Sequence, residues 1–131
     1  MAVRAVRGAT QLENDDREHM LERVAEMVTD VMSANGLCVD DFISVIFTAT
    51  ADLHSEFPAY AARRLGFGDV PLICARELEI EGSMPRVIRM MAHVETDLTR
   101  ADVTHVYLHG AAALRRDLTR VRSVPDEDTS P

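Results

Sequence analysis

The apolar and polar positions divide the chain into several short alternating stretches and one long periodic one. Ala2 to Arg7 alternates small apolar residues with arginine, as a half-exposed or pocket-facing strand does. Gly8 to Leu12 then reads as a turn. Asp15 with Glu18 three positions on resembles a capping box. Met20, Leu21, Val24, Met27, Val28, Val31 and Met32 follow at helical spacing, which predicts a helix with one apolar face through to about Asn35. Gly36 suits the left-handed residue just beyond such a helix.

Asp41 to Ala49, rich in Phe, Ile and Val, predicts a buried central strand. Thr50 to Ser55 reads as a loop, with Ser55 as a cap and Pro58 in the first turn of a short helix from about Glu56 to Leu65. Gly66-Phe67-Gly68 leads to a short apolar strand over Val70 to Cys74, and Glu77 to Ile80 alternates as an extension past a bend. Glu81 to Pro85 is a break. Arg86 to Thr96 fits either period. A strand is favoured there, because it gathers Val87, Arg89, Met91 and His93 on one face and Ile88, Met90, Ala92 and Val94 on the other. Asp97 to Asp102 suits a helical turn, Val103 to Leu108 a strand, and Gly110 to Arg115 a short apolar segment. Val121 to Pro131 reads as a disordered tail. With no internal repeat, this order predicts a mixed α/β (α+β) fold: a single domain with one mixed β-sheet covered by helices.

A chain of 131 residues suits one domain with a genuine core. Its hydrophobic share of 47% and charged share of 27% are those of an ordinary soluble globular protein. The formal charge of −8 argues against a nucleic-acid or acidic-membrane partner, both of which need a basic face. Cys38 and Cys74 make no disulfide framework, Met1 to Thr10 is no secretory start, and no stretch approaches the roughly 20 apolar residues of a membrane-spanning helix. The expectation is a cytoplasmic protein with reduced thiols.

Against that negative balance stand arginines in apolar company: Arg7, Arg63, Arg89 and Arg115. Taken singly, each suits a surface residue whose stem packs while its head reaches water. Taken together, they suggest charges that must be paired or face a ligand. Guanidinium groups grip carboxylates through paired hydrogen bonds, so convergence implies a small polyanion, a dicarboxylate or a phosphate ester. Glu77 is the leading functional acid, as a hydrogen-bond acceptor or a general base, beside the plain alternative of a solvent-facing strand carboxylate. Cys74 has no histidine companion and reads as a small hydrophobe rather than a nucleophile. The spacing of His19, His54, His93, His105 and His109 fits no zinc pattern, so no metal is expected.

The same residues resemble the trimeric, Bacillus-type (AroH class) chorismate mutases. Val3-Arg4-Ala5-Val6-Arg7-Gly8-Ala9-Thr10 is similar to that family's first strand. Thr48-Ala49-Thr50, Asp52-Leu53-His54, Phe57-Pro58-Ala59 and Arg63 are similar to its central signature. Val70-Pro71, Cys74, Glu77, Ile88 to Met91, Thr96-Asp97, His105 to Leu108, Leu114-Arg115 and Asp117-Leu118 follow in the family's order, so the resemblance covers Met1 to Leu118. Tyr60 stands where the family commonly has lysine.

The resemblance implies isomerisation of chorismate to prephenate by an intramolecular Claisen rearrangement, on the route to Phe and Tyr from the shikimate pathway. It implies a homotrimer, a pseudo-α/β barrel with active sites between subunits. The chorismate mutase domain would span 1–120 and a flexible tail 121–131. The chemistry requires no cofactor, covalent intermediate or proton transfer. Catalysis then rests on holding a compact conformer and stabilising charge as the ether bond breaks. By position, Arg89 lies against the ether oxygen, Arg7 and Tyr107 hold a carboxylate, and Glu77 accepts from the ring hydroxyl with Cys74 beside it. Phe57, Leu72, Ile73 and Leu114 form walls, and Arg63 and Arg115 stand at the entrance. Two other readings stay open: a related trimeric hydrolase of an imine or enamine carboxylate, separable by incorporation of solvent oxygen, and a non-catalytic trimeric metabolite-binding module, separable by binding without turnover.

Overall fold

The structure, a computed structural model, describes residues 1–114. Arg115 and the tail expected over 121–131 lie outside the described residues. Five strands and two helices follow in the order β1 (Ala2–Gln11), α1 (Arg17–Asn35), β2 (Phe42–Ala49), α2 (Pro58–Ala62), β3 (Leu72–Arg76), β4 (Val87–Thr96) and β5 (Val106–Tyr107). They form one sheet in the order β3-β2-β4-β1-β5. The β2–β3 and β1–β5 pairs are parallel and the others antiparallel, so the sheet is mixed, as the element order predicts.

Alternation decides which side chains meet the helices. Val6 of β1, Val45 and Phe47 of β2, and Ile88, Met90, Ala92 and Val94 of β4 pack with Met20, Leu21, Val24, Met27, Val28 and Val31 of α1 in one core. Ala59, Ala61 and Ala62 of α2 join it, and Phe67 meets Phe42 edge-on at 4.9 Å. The core face of β4, with Ile88, Met90, Ala92 and Val94, is one of the two faces that the strand reading separates. Both α1 and α2 pack on this side of the sheet.

Gly8 is not a turn: β1 runs through it to Gln11. A Cβ at Gly8 would lie 2.9 Å from Met90 Cγ and 3.2 Å from Met27 Cγ and Val31 Cγ2, so glycine marks where α1 presses onto the sheet. The helix start also shifts. Asp16, not Asp15, caps α1, its carboxylate accepting from the His19 N–H at 3.0 Å, while Glu18 pairs with Arg17. Gly36 ends the helix as expected, with φ of 63° and its N–H on the Met32 carbonyl. Phe57 rather than Ser55 stands at the cap position of α2, with Pro58 in its first turn. A single wide turn over Arg63–Phe67 completes that helix and closes at Gly66, φ 104°.

Two expected strand segments fall short. Beyond β3, only the Glu77 N–H continues the ladder, on the Ala49 carbonyl at 3.0 Å; Leu78 and Ile80 then run exposed without a partner strand. Ahead of β5, side chains replace ladder bonds. Asn35 takes both the N–H and the carbonyl of Thr104, and His105 Nδ1 accepts from the Arg7 N–H. A helical turn at Arg100–Asp102 matches the expectation for that polar stretch. No helix among the described residues is long and apolar enough to cross a membrane.

Candidate active site

Strand register assembles a polar row across the open face of the sheet. Ala9 of β1 faces Tyr107 of β5 on one side and Arg89 of β4 on the other; Arg89 in turn faces Thr48 of β2. Because in-register residues on adjacent strands point the same way, Tyr107, Arg89 and Thr48 rise from one line with the small Ala9 as floor. Two residues along, Arg7, Met91 and Ile46 make a second line on the same face, which Ile73 continues on β3 beyond the cavity. These rows bound a cavity of about 380 Å³ lined by Arg7, Gly8, Ala9, Ile46, Thr48, Glu77, Arg89, Met90, Met91, Tyr107 and Leu114. Apolar walls with a few convergent polar groups are the usual build of a small-molecule site.

The polar groups are already arranged among themselves. Arg89 Nε lies 3.2 Å from Glu77 Oε2, and the Thr48 hydroxyl donates to that same oxygen. Glu77 reaches them because its backbone is held on Ala49, next to Thr48. Tyr107 is different: its hydroxyl is buried and has no hydrogen-bond partner among the described residues. A buried phenol without an acceptor is destabilising by about 1–3 kcal/mol, so an acceptor that enters the cavity would gain a hydrogen bond here.

Arg7, Glu77, Arg89, Tyr107 and Leu114 are thus brought together, and other expected residues are not. Cys74 and Phe57 line a separate depression with Leu53, His54, Ser55 and Glu56. Leu72 and Cys74 pair with Val45 and Phe47 and pack against the core, so alternation sends only Ile73 to the open face. Within one chain Cys74 is therefore not in the cavity with Glu77, and Leu72 is not one of its walls. Phe57 is 68% exposed and Ile73 61%. Arg63 is exposed on the wide turn after α2 and lines neither hollow. Tyr60, at the family's lysine position, has the guanidinium groups of Arg17 and Arg64 at 5.4 and 5.9 Å from its ring.

The sequence reads Asp15 as part of a helix cap and gives Glu56 no role, yet both fix the Phe57 loop. Asp15 accepts the N–H of His54 at 2.9 Å and that of Ser55 at 3.1 Å. Glu56 accepts the Phe57 N–H and pairs with Arg17 Nε at 2.7 Å. Burial pushes the Asp15 carboxyl up, but the hydrogen bonds from His54 and Ser55 outweigh it and hold the group below its usual range. The Phe57 N–H and Arg17 likewise lower Glu56, and Glu56 raises Arg17. The signal available in sequence was an acidic pair, Asp15-Asp16, ahead of a helix that needs only one cap.

A folded-state value depressed below the unfolded one stabilises above about pH 3.9, and that stabilisation is lost as pH falls through the lowered value. Asp15→Asn keeps the shape but turns one acceptor into a donor facing an N–H. The variant is expected to have a lower urea midpoint at neutral pH, and the gap from wild type should close on acidification below the aspartate range. A gap of the same size at pH 7 and pH 3 would count against the loop anchor.

Residues 3–118 match the family model described as chorismate mutase type I. Chorismate mutase AroH of Thermus thermophilus is 45% identical over 117 residues, 88% of this chain and 96% of that protein. Chorismate mutase AroH of Bacillus subtilis (strain 168) is 35% identical over 124 residues, 94% of this chain and 98% of that protein. A solved chorismate mutase from Clostridium thermocellum has a TM-score of 0.82 at 40% identity, covering 83% of this chain and 97% of that one.

Proposed function

Since the chain belongs to the chorismate mutase type I family, we propose that its open-face cavity is one half of an active site that a neighbouring subunit of a homotrimer completes. The protein is a chorismate mutase, an isomerase of aromatic amino acid biosynthesis. The substrate is the chorismate dianion and the product prephenate. In the rearrangement one ether C–O bond breaks while one C–C bond forms within the same molecule, so no proton, electron or water is exchanged. The protein's part is conformational selection and charge stabilisation.

The observation that carries this reading is the convergence of Arg7, Arg89, Glu77 and the unpartnered Tyr107 hydroxyl on one apolar-walled hollow. Arg7 and Tyr107 hold a substrate carboxylate, the acceptor that the buried phenol lacks among the described residues. Arg89 spends its Nε on Glu77, which fixes the guanidinium plane and leaves its terminal N–H groups for the ether oxygen, where negative charge grows. Glu77 accepts from the ring hydroxyl through its second oxygen. Leu114 closes one wall.

The other half carries Phe57, Ile73, Leu72 and Cys74 as walls, with Arg63 and Arg115 at the rim. Support for assembly comes from the sheet face itself. Val3, Ile43, Ile46 and Ile73 are all exposed in the single chain, an apolar group on a molecule of formal charge −8. A trimeric pseudo-barrel covers such a face with copies of itself. The free thiols of Cys38 and Cys74 suit the cytoplasm, where they stay reduced.

The test is direct. Purified protein should remove chorismate absorbance and yield prephenate well above the uncatalysed rate, with no solvent oxygen incorporated. A folded sample that gives no acceleration would overturn the reading.

A further inference from the structure

We propose that Thr48 is a positioning residue for this reaction, whose hydroxyl keeps Glu77 on a single nitrogen of Arg89 and so leaves the rest of that guanidinium free for the substrate. The inference rests on the functional reading above and extends it to a residue outside the expected catalytic set.

Thr48 stands in register between Arg89 on β4 and Ala75 on β3, two residues ahead of Glu77. A carboxylate only accepts, so the Thr48 hydroxyl must be the donor to Glu77 Oε2. Arg89 Nε forms an ion pair with the same oxygen at 3.2 Å. The hydrogen bond and the ion pair both fall on Oε2, and Oε1 has no hydrogen-bond or ion-pair partner among the described residues. Threonine is β-branched, and its χ1 is restricted on a strand, so the donor is fixed in space.

The consequence follows from how arginine and carboxylate prefer to meet. Left to themselves they form two parallel N–H···O bonds, the stronger arrangement. Glu77 in that geometry would use both of its oxygens on Arg89. It would withdraw a terminal N–H from the ether oxygen and Oε1 from the ring hydroxyl. The Thr48 donor, pulling on Oε2 from the β2 side, opposes that rotation. Its hydroxyl therefore protects two substrate contacts without touching the substrate.

The experiment compares Thr48→Val, which keeps the shape and loses the hydroxyl, with Thr48→Ser, which keeps the hydroxyl. Thr48→Val is expected to lower kcat by about 10- to 100-fold, the range of a hydrogen bond to a charged group, with a smaller change in KM. Thr48→Ser should restore most of the loss. In a Glu77→Gln background the valine change should add little, whereas a purely structural role would lower activity by the same factor in both backgrounds. A valine variant with wild-type kcat, a serine variant as impaired as valine, or full additivity with Glu77→Gln would each overturn the inference. Absence of turnover in the wild type overturns the functional reading and this inference with it; an indifferent Thr48→Val variant of an active wild type overturns this inference alone.

Discussion

Arg89→Ala is expected to lower kcat/KM by at least about 1,000-fold, most of it in kcat, with the fold intact. Loss of one preorganised donor to developing negative charge typically reduces turnover by about 100- to 1,000-fold. Arg89 carries a second duty, because its Nε pairs with Glu77 at 3.2 Å. Its removal leaves an uncompensated carboxylate facing a dianion, which adds repulsion to the lost attraction. The effect belongs in kcat because charge on the ether oxygen exists only as the bond breaks. Arg89→Lys keeps a charge but has no planar fork, so one ammonium cannot serve Glu77 and the ether oxygen together, and recovery should be partial. The side chain is 46% exposed on the open sheet face and stands outside the apolar core, so the urea midpoint should stay near that of the wild type. Near-normal turnover in the alanine variant would refute the assigned role.

The chemistry was legible in the sequence to the extent that one strand can display it. Arg7 lies on a stretch whose alternation is readable and Arg89 on one that fits either period, while Tyr107 and Leu114 stand out only through the resemblance. Glu77 was recognisable as a residue, but not its partners. Thr48 and Arg89 are 41 positions apart and meet only through the β2–β4 register, which pairs Thr48 with Arg89. Gly8 misled for a related reason: locally a glycine signals a turn, yet here it answers to Met27, Val31 and Met90, all distant in sequence. The same limit applies to Cys74. Its neighbourhood with Glu77 in sequence is broken by strand alternation, which turns Cys74 to the core side while the chain after β3 carries Glu77 over Thr48. Register and packing are long-range properties, and a single sequence read element by element does not contain them.

Mixing two crippled variants is expected to restore activity that neither has alone. Phe57→Glu sets a negative charge on the proposed wall for a dianion but leaves the Arg7–Glu77–Arg89–Tyr107 cavity of its own chain unchanged. Arg89→Ala disables that cavity but leaves Phe57 unchanged. Phe57 and Arg89 line separate hollows of one chain, and α2 with its wide turn is built on the core side of the sheet, so a single subunit has no means of joining them. In the proposed cyclic trimer each site would instead take the cavity from one subunit and the Phe57 wall from the next. Random assembly from an equal mixture then pairs an intact cavity with an intact wall at about one site in four. Co-expressed or co-refolded variants should accordingly recover about a quarter of wild-type kcat per subunit, with wild-type KM at the repaired sites. Every other combination retains at least one lesion, so the recovered activity should saturate at that fraction when the mixture is equal and fall when either variant is in excess. If both groups served the same site from one chain, no mixture could contain an unlesioned site, and the activity would stay at the average of the two variants.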